Sequence, residues 1–158
     1  MIASAGLRAH ETLTLCRAQD RPSTEDREWS ADRFMGLSGQ RYTVIGKGGL
    51  IREVMVPSDL AQRLDAHRLL RPVTVRDRRI NYLTYFDVAG GNAWSKSFTE
   101  ASERALGYSH GGHGLRHSYA QARMDQLQGL GLSYSEALSI VSQELGHFRP
   151  DITEVYLR

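Results

Sequence analysis

Arg41-Tyr42-Thr43-Val44-Ile45-Gly46-Lys47-Gly48-Gly49-Leu50-Ile51-Arg52-Glu53-Val54-Met55-Val56 is two extended runs around a glycine-rich turn. Both arms are β-branched and aliphatic, the composition that fits a pleated surface, and the glycines supply the backbone conformations that a tight connection needs. The segment predicts an antiparallel hairpin with Lys47 near its tip. It decides the fold class, because most of the remaining pattern is helical. The expectation is an α+β protein, mainly helical, with a small antiparallel sheet of three or more strands on one side.

Downstream, Ser58 is placed to cap a helix running to about Leu69 with Leu60, Ala61 and Leu64 inward. Pro72 is expected to end that helix, and Val73-Thr74-Val75 to add a third strand. Between Arg78 and Asn92, Ile80, Tyr82, Leu83, Tyr85, Phe86 and Val88 read as strand-like or buried until Gly90-Gly91 breaks the run. Ser97 to Leu106 predicts a helix with Phe98 and Ala101 inward. A longer helix runs from His113 to about Leu130, closed by Gly129 and Gly131. Ser133-x-x-Glu136 is a capping box opening the next helix, which stops at Gly146. A last short helix follows Pro150, capped by Asp151 or Thr153, and carries Tyr156. Upstream, Gly6 to about Arg17 allows a short helix whose i,i+3 spacing puts Arg8 and Glu11 on one face. Asp20 to Gly39 is polar and reads as a loop.

The 158 residues make one domain, residues 1–158. A hydrophobic fraction of 41% and a charged fraction of 24% are ordinary for a soluble globular protein. The net charge of +2 permits a nucleic-acid partner without demanding one. Cys16 is the only cysteine, so no internal disulfide forms and a reducing compartment is expected. No apolar run approaches the roughly 20 residues of a membrane helix, and the N-terminus has no signal-peptide pattern. These features place the chain in the cytoplasm and away from membranes. An arginine as early as position 8 and a tyrosine two residues from the end make the sequence read as a piece of a longer protein.

Five clusters then stand out in order: Arg8-x-x-Glu11, Gly46-Lys47-Gly48, His113-x-x-Arg116-His117, Leu145-Gly146-His147 and Tyr156. A tyrosine oxygen with an ordinary pKa near 10 is a weak nucleophile until its proton is taken or its anion stabilised. Histidines and arginines supply both. Arginine's planar fork suits a phosphate, because it donates two parallel hydrogen bonds and stays charged. Taken alone, a late tyrosine is packing, each arginine a surface ion pair and Lys47 a solvated turn residue. His10, His67 and His110 keep that plain structural reading. His113 and His117, at i,i+4, form a two-ligand zinc face that lacks a third ligand nearby in sequence. Gly46-Lys47-Gly48-Gly49 lacks the Lys-Ser/Thr pair of a nucleotide loop. No cofactor or metal is called for.

The ordered set resembles the catalytic domain of the tyrosine recombinases, the phage-integrase family. The matching segments are Gly6-Leu7-Arg8-Ala9-His10-Glu11, Gly46-Lys47-Gly48-Gly49, His113-Gly114-Leu115-Arg116-His117-Ser118-Tyr119-Ala120, and Leu145-Gly146-His147 with Tyr156 nine positions on. The resemblance implies DNA strand cleavage and rejoining through a 3′-phosphotyrosyl link, without metal or ATP. Tyr156 would be the nucleophile; Arg8 and Arg116 would hold the scissile phosphate, with Glu11 orienting Arg8. His113 and His147 would hydrogen-bond the phosphate or assist proton transfer, and Lys47 would protonate the leaving 5′-oxygen. Double-stranded DNA is the implied partner, site-specific recombination or integration of a mobile genetic element the implied function, and the bacterial nucleoid the implied place. Members of the family assemble as tetramers on DNA, and carry a separate N-terminal domain and a C-terminal tail that this sequence does not contain. The stretch Arg78 to Asn92 is longer than that pattern and reads as a β insertion. Two other readings stand beside this one: a type IB topoisomerase or resolvase using the same residues, and a DNA-binding remnant that no longer turns over.

Overall fold

The structure is a computed structural model and describes residues 1–157. It is an α+β fold in which two apolar cores meet at a seam, and the seam holds the polar residues singled out above, Lys47 excepted.

The hairpin forms where its sequence places it. β2 (Gln40–Ile45) and β3 (Ile51–Val56) pair antiparallel from Gln40 opposite Val56 to Ile45 opposite Ile51. Tyr42, Val44, Val54 and Val56 are buried on one face. Complete burial of such aliphatic side chains contributes about 1.5–3 kcal/mol each. Val73–Val75 is extended as expected but belongs to a separate sheet, so it is not the third strand here. It is the short β1 (Cys16–Arg17), which pairs with β2 through Cys16 opposite Thr43. This sheet packs with α1 (Ile2–Ala5) and α2 (Ser58–Ala66) into the first core, which includes Leu7, Leu15, Ala61, Leu64 and Phe86.

The N-terminal helix ends earlier than its pattern suggests. Gly6 takes a left-handed conformation (φ +60°) that closes α1 after Ala5. A 3₁₀ turn, Glu11–Thr14, follows instead of a continued helix. Thr12 and Thr14 donate side-chain hydrogen bonds back to the Ala9 and Glu11 carbonyls, the local competition by which threonine disfavours a regular helix. All residues from Glu11 to Cys16 are buried, so no amphipathic face exists for a helix to use.

Helix α2 stops at Ala66 rather than near Leu69, and its cap is Pro57, with Ser58 already helical. Residues Arg68 onward leave it as strand β4 (Arg68–Asp77), which pairs antiparallel with β5 (Ile80–Phe86) in a separate two-stranded sheet. Pro72 falls in the register irregularity between Arg68 and Val73, where a missing N–H costs no ladder bond. The β4–β5 connection is the two-residue turn Arg78-Arg79, closed by Asp77 opposite Ile80, with φ of +45° and +68°. Positive φ at both central positions is the hairpin geometry that Asn-Gly ordinarily supplies. Two arginines hold it here, at roughly 1–2 kcal/mol per residue.

Helix α3 (Gly91–Leu106) begins six residues before Ser97, directly at the glycine pair, and Ala101 on it is exposed. Helix α4 (Gly111–Gly129) packs on α5 (Tyr134–Glu144), which opens with the full Ser133/Glu136 capping box. Gly146 (φ +75°) ends α5 and turns the chain back. A Cβ there would fall 2.8 Å from the Arg52 side chain, so the turn must be glycine for the backbone to lie against that guanidinium. Helix α6 (Pro150–Glu154) starts with Pro150 at its first position and Arg149 as its cap, so neither Asp151 nor Thr153 caps it. It leads into a 3₁₀ turn, Val155–Leu157, that brings Tyr156 onto the second core, with Tyr119, Met124, Leu127, Val141 and Leu145. Among the described residues no helix is long and apolar enough to cross a membrane.

Candidate active site

Glu11 is the hub of the seam. It is fully buried, and its two oxygens take charge from three arginines. Arg8 Nη1 donates to Oε1 at 3.0 Å and the Arg8 backbone N–H to Oε2 at 2.6 Å. Arg52 Nη2 donates to Oε2 at 2.7 Å, and Arg116 Nη1 stands 3.7 Å from the same oxygen. Burial works to raise the Glu11 carboxyl, but Arg52, Arg116 and Arg8 together hold it below the ordinary carboxylate value. One carboxylate against three guanidiniums leaves a buried excess of positive charge.

Arg116 is 1% exposed, projecting from α4 across the seam. It donates to the Gly6 carbonyl and, at 3.0 Å, to the Leu145 carbonyl, which ties both cores to one side chain. Burial first, then Arg8 and Arg52, push its pKa down to about 10, with Glu11 opposing them; it remains charged at neutral pH. Three guanidinium nitrogens in this cluster, Arg52 Nε and Nη1 and Arg116 Nε, are buried without a hydrogen-bond partner. Buried donors are ordinarily paired, and leaving each one unpaired costs about 1–3 kcal/mol.

His147 lies against Arg8. Arg8 Nη2 is 3.1 Å from its Nε2, and its Nδ1 is 3.2 Å from the Thr153 hydroxyl. Guanidinium only donates, so Nε2 accepts, and the ring is the neutral tautomer with its proton on Nδ1 directed at Thr153. Burial, then Arg116, Arg8 and Arg52, lower its pKa to about 4, which agrees with a neutral ring.

Tyr156 sits under an aromatic and cationic canopy. Its ring centroid is 5.1 Å from that of His113, 4.8 Å from His117 and 5.5 Å from His147, and the Arg116 guanidinium lies 5.5 Å over its face. Tyr156 itself is 8% exposed. His113 is on the open side of α4, and burial, His117, Arg116 and Arg8 in that order lower its pKa.

The structure therefore brings Arg8, Glu11, Arg116 and His147 into direct contact and places Tyr156 and His113 beside them. Lys47 stands apart. It is exposed at the hairpin tip and reaches the cluster only across a cavity of 580 Å³ whose wall it shares with Arg8, His10, Gly46, Asp77, Arg78 and Tyr82. Gly46 is the closest point of that tip: a Cβ there would come within 3.3 Å of Glu11 Oε1. The zinc face weighed for His113 and His117 has both rings against Tyr156 instead. Among the described residues no group of three His, Cys, Asp or Glu side chains is placed to hold a metal.

Three residues of the site were given no part in the chemistry from the sequence, although His117 was weighed as a zinc ligand. Arg52 was readable in principle, since it alternates in phase with the buried Val54 and Val56 and so points inward. His117 was visible as an i,i+4 partner of His113. Thr153 had no signal; only the fold closes its contact with His147.

No family model matches the chain, and no curated protein matches it. Among solved structures it is similar to the XerH site-specific recombinase bound to difH substrate in a pre-cleavage complex, with a TM-score of 0.54 and 24% identity. That match covers 99% of this chain and 40% of the recombinase. The fold is recombinase-like. A post-cleavage complex of XerH with palindromic difH substrate agrees at a TM-score of 0.53 and 22% identity, over 99% of this chain and 39% of that one. The chain thus spans about two fifths of the length of the recombinase it resembles.

Proposed function

We propose that residues 1–158 are the catalytic domain of a tyrosine-type DNA recombinase, an enzyme that breaks and rejoins double-stranded DNA at specific sites. The observation that carries this reading is the junction of Tyr156 with the Glu11 cluster: a phenol against three histidines and Arg116, beside guanidiniums that outnumber their carboxylate. A buried cationic excess with unpaired donors is built for an anion, and a phosphodiester supplies both charge and acceptors.

In this mechanism Arg8 and Arg116 grip the non-bridging oxygens of the scissile phosphate. Binding draws the Arg8 guanidinium onto the phosphate and frees His147 Nε2, whose lone pair takes the phenolic proton. Tyr156 Oη forms the bond to phosphorus, the bond from phosphorus to the 5′-oxygen breaks, and Lys47 gives that oxygen its proton from the hairpin tip. His113 steadies the developing charge. Rejoining reverses each step with the 5′-hydroxyl of a second strand. Because Tyr156 is 8% exposed, attack requires the short segment Pro150–Leu157 to turn the phenol outward.

The test is incubation with duplexes carrying a nick next to the scissile position, which trap a covalent protein–DNA adduct. The adduct is expected from the wild type and absent from Tyr156→Phe, while DNA affinity stays nearly unchanged because the phenol carries little charge. An adduct that survives Tyr156→Phe refutes the assignment of the nucleophile. Relaxation of supercoiled plasmid without a preferred site would favour a type IB topoisomerase, and affinity with no adduct on any site a DNA-binding remnant.

A further inference from the structure

The β4–β5 hairpin takes no part in the chemistry just described, yet its sequence is unusual for a surface hairpin. Residues Arg68 to Arg79 include five arginines, all exposed, and a single acid, Asp77. Arg68 pairs with Asp20 at 3.0 Å, and Arg78 donates twice to Asn92 Oδ1 at 3.1 and 2.5 Å. Arg71, Arg76 and Arg79 form no hydrogen bond or ion pair among the described residues.

Three further observations give the tip a purpose. Its two arginines occupy a turn whose positive φ angles disfavour any side chain beyond glycine, asparagine or aspartate. Folding stability alone would place glycine there. The tip is also braced: Asp77 accepts the Asn92 backbone N–H at 3.0 Å, Arg78 holds the Asn92 side chain, and a Cβ on Gly91 would meet the Asp77 carboxylate at 2.7 Å. At the hairpin's other end Thr84 donates to the Leu13 carbonyl at 2.9 Å. Finally, the tip faces the site. Asp77, Arg78, Ile80 and Asn81 form one wall of the 580 Å³ cavity, Gly46, Lys47 and Gly48 contribute another part, and Arg8 lines the same space.

From this we infer that the β4–β5 hairpin is a second DNA-backbone clamp. Arg76, Arg78 and Arg79 hold phosphates that flank the one at Arg8, so that the strand is gripped between two cationic hairpin tips. This inference rests on DNA being the substrate, and it assigns the hairpin to sequence-independent backbone contact. Guanidiniums at a rigid tip suit phosphates, whose charge dominates affinity whatever the base sequence.

Arg79→Gly separates binding from folding, because glycine adopts φ +68° freely. The variant should melt at the wild-type temperature or above it while binding a fluorescent duplex of arbitrary sequence several-fold more weakly. The slope of log affinity against log salt should flatten by about 0.9 for one lost phosphate contact, and by about twice that in Arg76→Ser/Arg79→Gly. Arg79→Asn, which also tolerates the turn, should behave like Arg79→Gly, and Arg79→Lys should recover part of the slope. Affinity and slope equal to wild type in the double variant overturn the clamp while leaving the catalytic assignment standing. A wild type with no measurable affinity for the duplex overturns both.

Discussion

Two buried carboxylates in this molecule pair with arginine, and they are not alike. Glu144, on α5, receives the Tyr119 hydroxyl at 2.8 Å, Arg123 Nε and Nη2 at 2.9 and 2.7 Å, and the Phe34 backbone N–H at 3.2 Å. Arg123 spends its remaining donors on Gln126 and the Met35 carbonyl. One acid meets one base and no nitrogen of Arg123 is left over. Glu11 instead meets three arginines, and three of their buried nitrogens have no partner. The first cluster is closed and joins α4, α5 and the loop before β2. The second is open, and under the function proposed above its surplus charge and idle donors would meet a ligand that carries negative charge and several acceptor oxygens. A balanced network is explained by packing; an unbalanced one leaves donors free for something outside the chain.

The widest separation between the two is expected from removing the acids. Glu144→Gln leaves Arg123 buried without its counter-charge and should lower stability by about 3–5 kcal/mol in denaturant unfolding, with phosphate giving no relief. Glu11→Gln should cost a comparable amount in plain buffer, but inorganic phosphate or duplex DNA should restore much of it, since an anion replaces the lost carboxylate. Equal behaviour of the two variants toward phosphate would erase the distinction drawn between the clusters.

Next in size is Arg116→Ala. It should reduce adduct formation by about 10²–10³-fold, the scale of removing one fixed donor from a developing charge. It should also lower DNA affinity, while Arg123→Ala should act on stability alone. Cleavage at the wild-type rate in Arg116→Ala would contradict its hold on the scissile phosphate.

A smaller effect concerns His147. Its pKa of about 4 in the fold lies below its ordinary 6.5. As pH falls below 6.5 the unfolded chain takes up a proton that the folded ring refuses, so stability is complete above 6.5 and declines toward pH 4. His147→Gln should flatten the unfolding free energy across that window, and an imidazole titration by NMR should find the midpoint rising when phosphate is bound. A titration midpoint near 6.5 in the free protein would disprove the burial of a neutral ring beside the arginines.

The smallest predicted change is Thr153→Val, which keeps the shape and removes the acceptor for His147 Nδ1–H. The ¹⁵N shifts of the His147 ring should then report a mixture of tautomers in place of one, and the pH profile of cleavage should move; Thr153→Ser should restore both. An unaltered tautomer in the valine variant would show that Arg8 alone sets it.

Much of this was legible in the chain itself. The hairpin, the α5 capping box, the stop at Gly146 and the long α4 follow from periodicity and from glycine and serine placed where local hydrogen bonding requires them. Even Arg8 and Glu11 meet, although the helix expected to align them is a turn, because three residues of separation suffice for either geometry. Val73–Val75 and the run from Ile80 were legible as extended, but the α1 boundary, the continuation of the strand through Pro72 and the pairing of those two runs in a separate sheet were not, since each depends on a partner strand or a core face that propensity does not see.

The same division runs through the site. Sequence alone determined which chemical groups the chain owns, in what order and with which neighbours within a turn or so. The tertiary structure decided which of them touch: Arg8 and His147 lie 139 residues apart, and Arg52 and Glu11 lie 41 apart. It also decided that Arg52 is a third guanidinium of the cluster, that the Thr153 hydroxyl faces His147 Nδ1, and that Lys47 faces the site across a cavity instead of entering it. Local rules act over a helical turn or a hairpin ladder. Charge excess and unpaired donors are properties of a neighbourhood, and a neighbourhood exists only after the two cores have packed against each other.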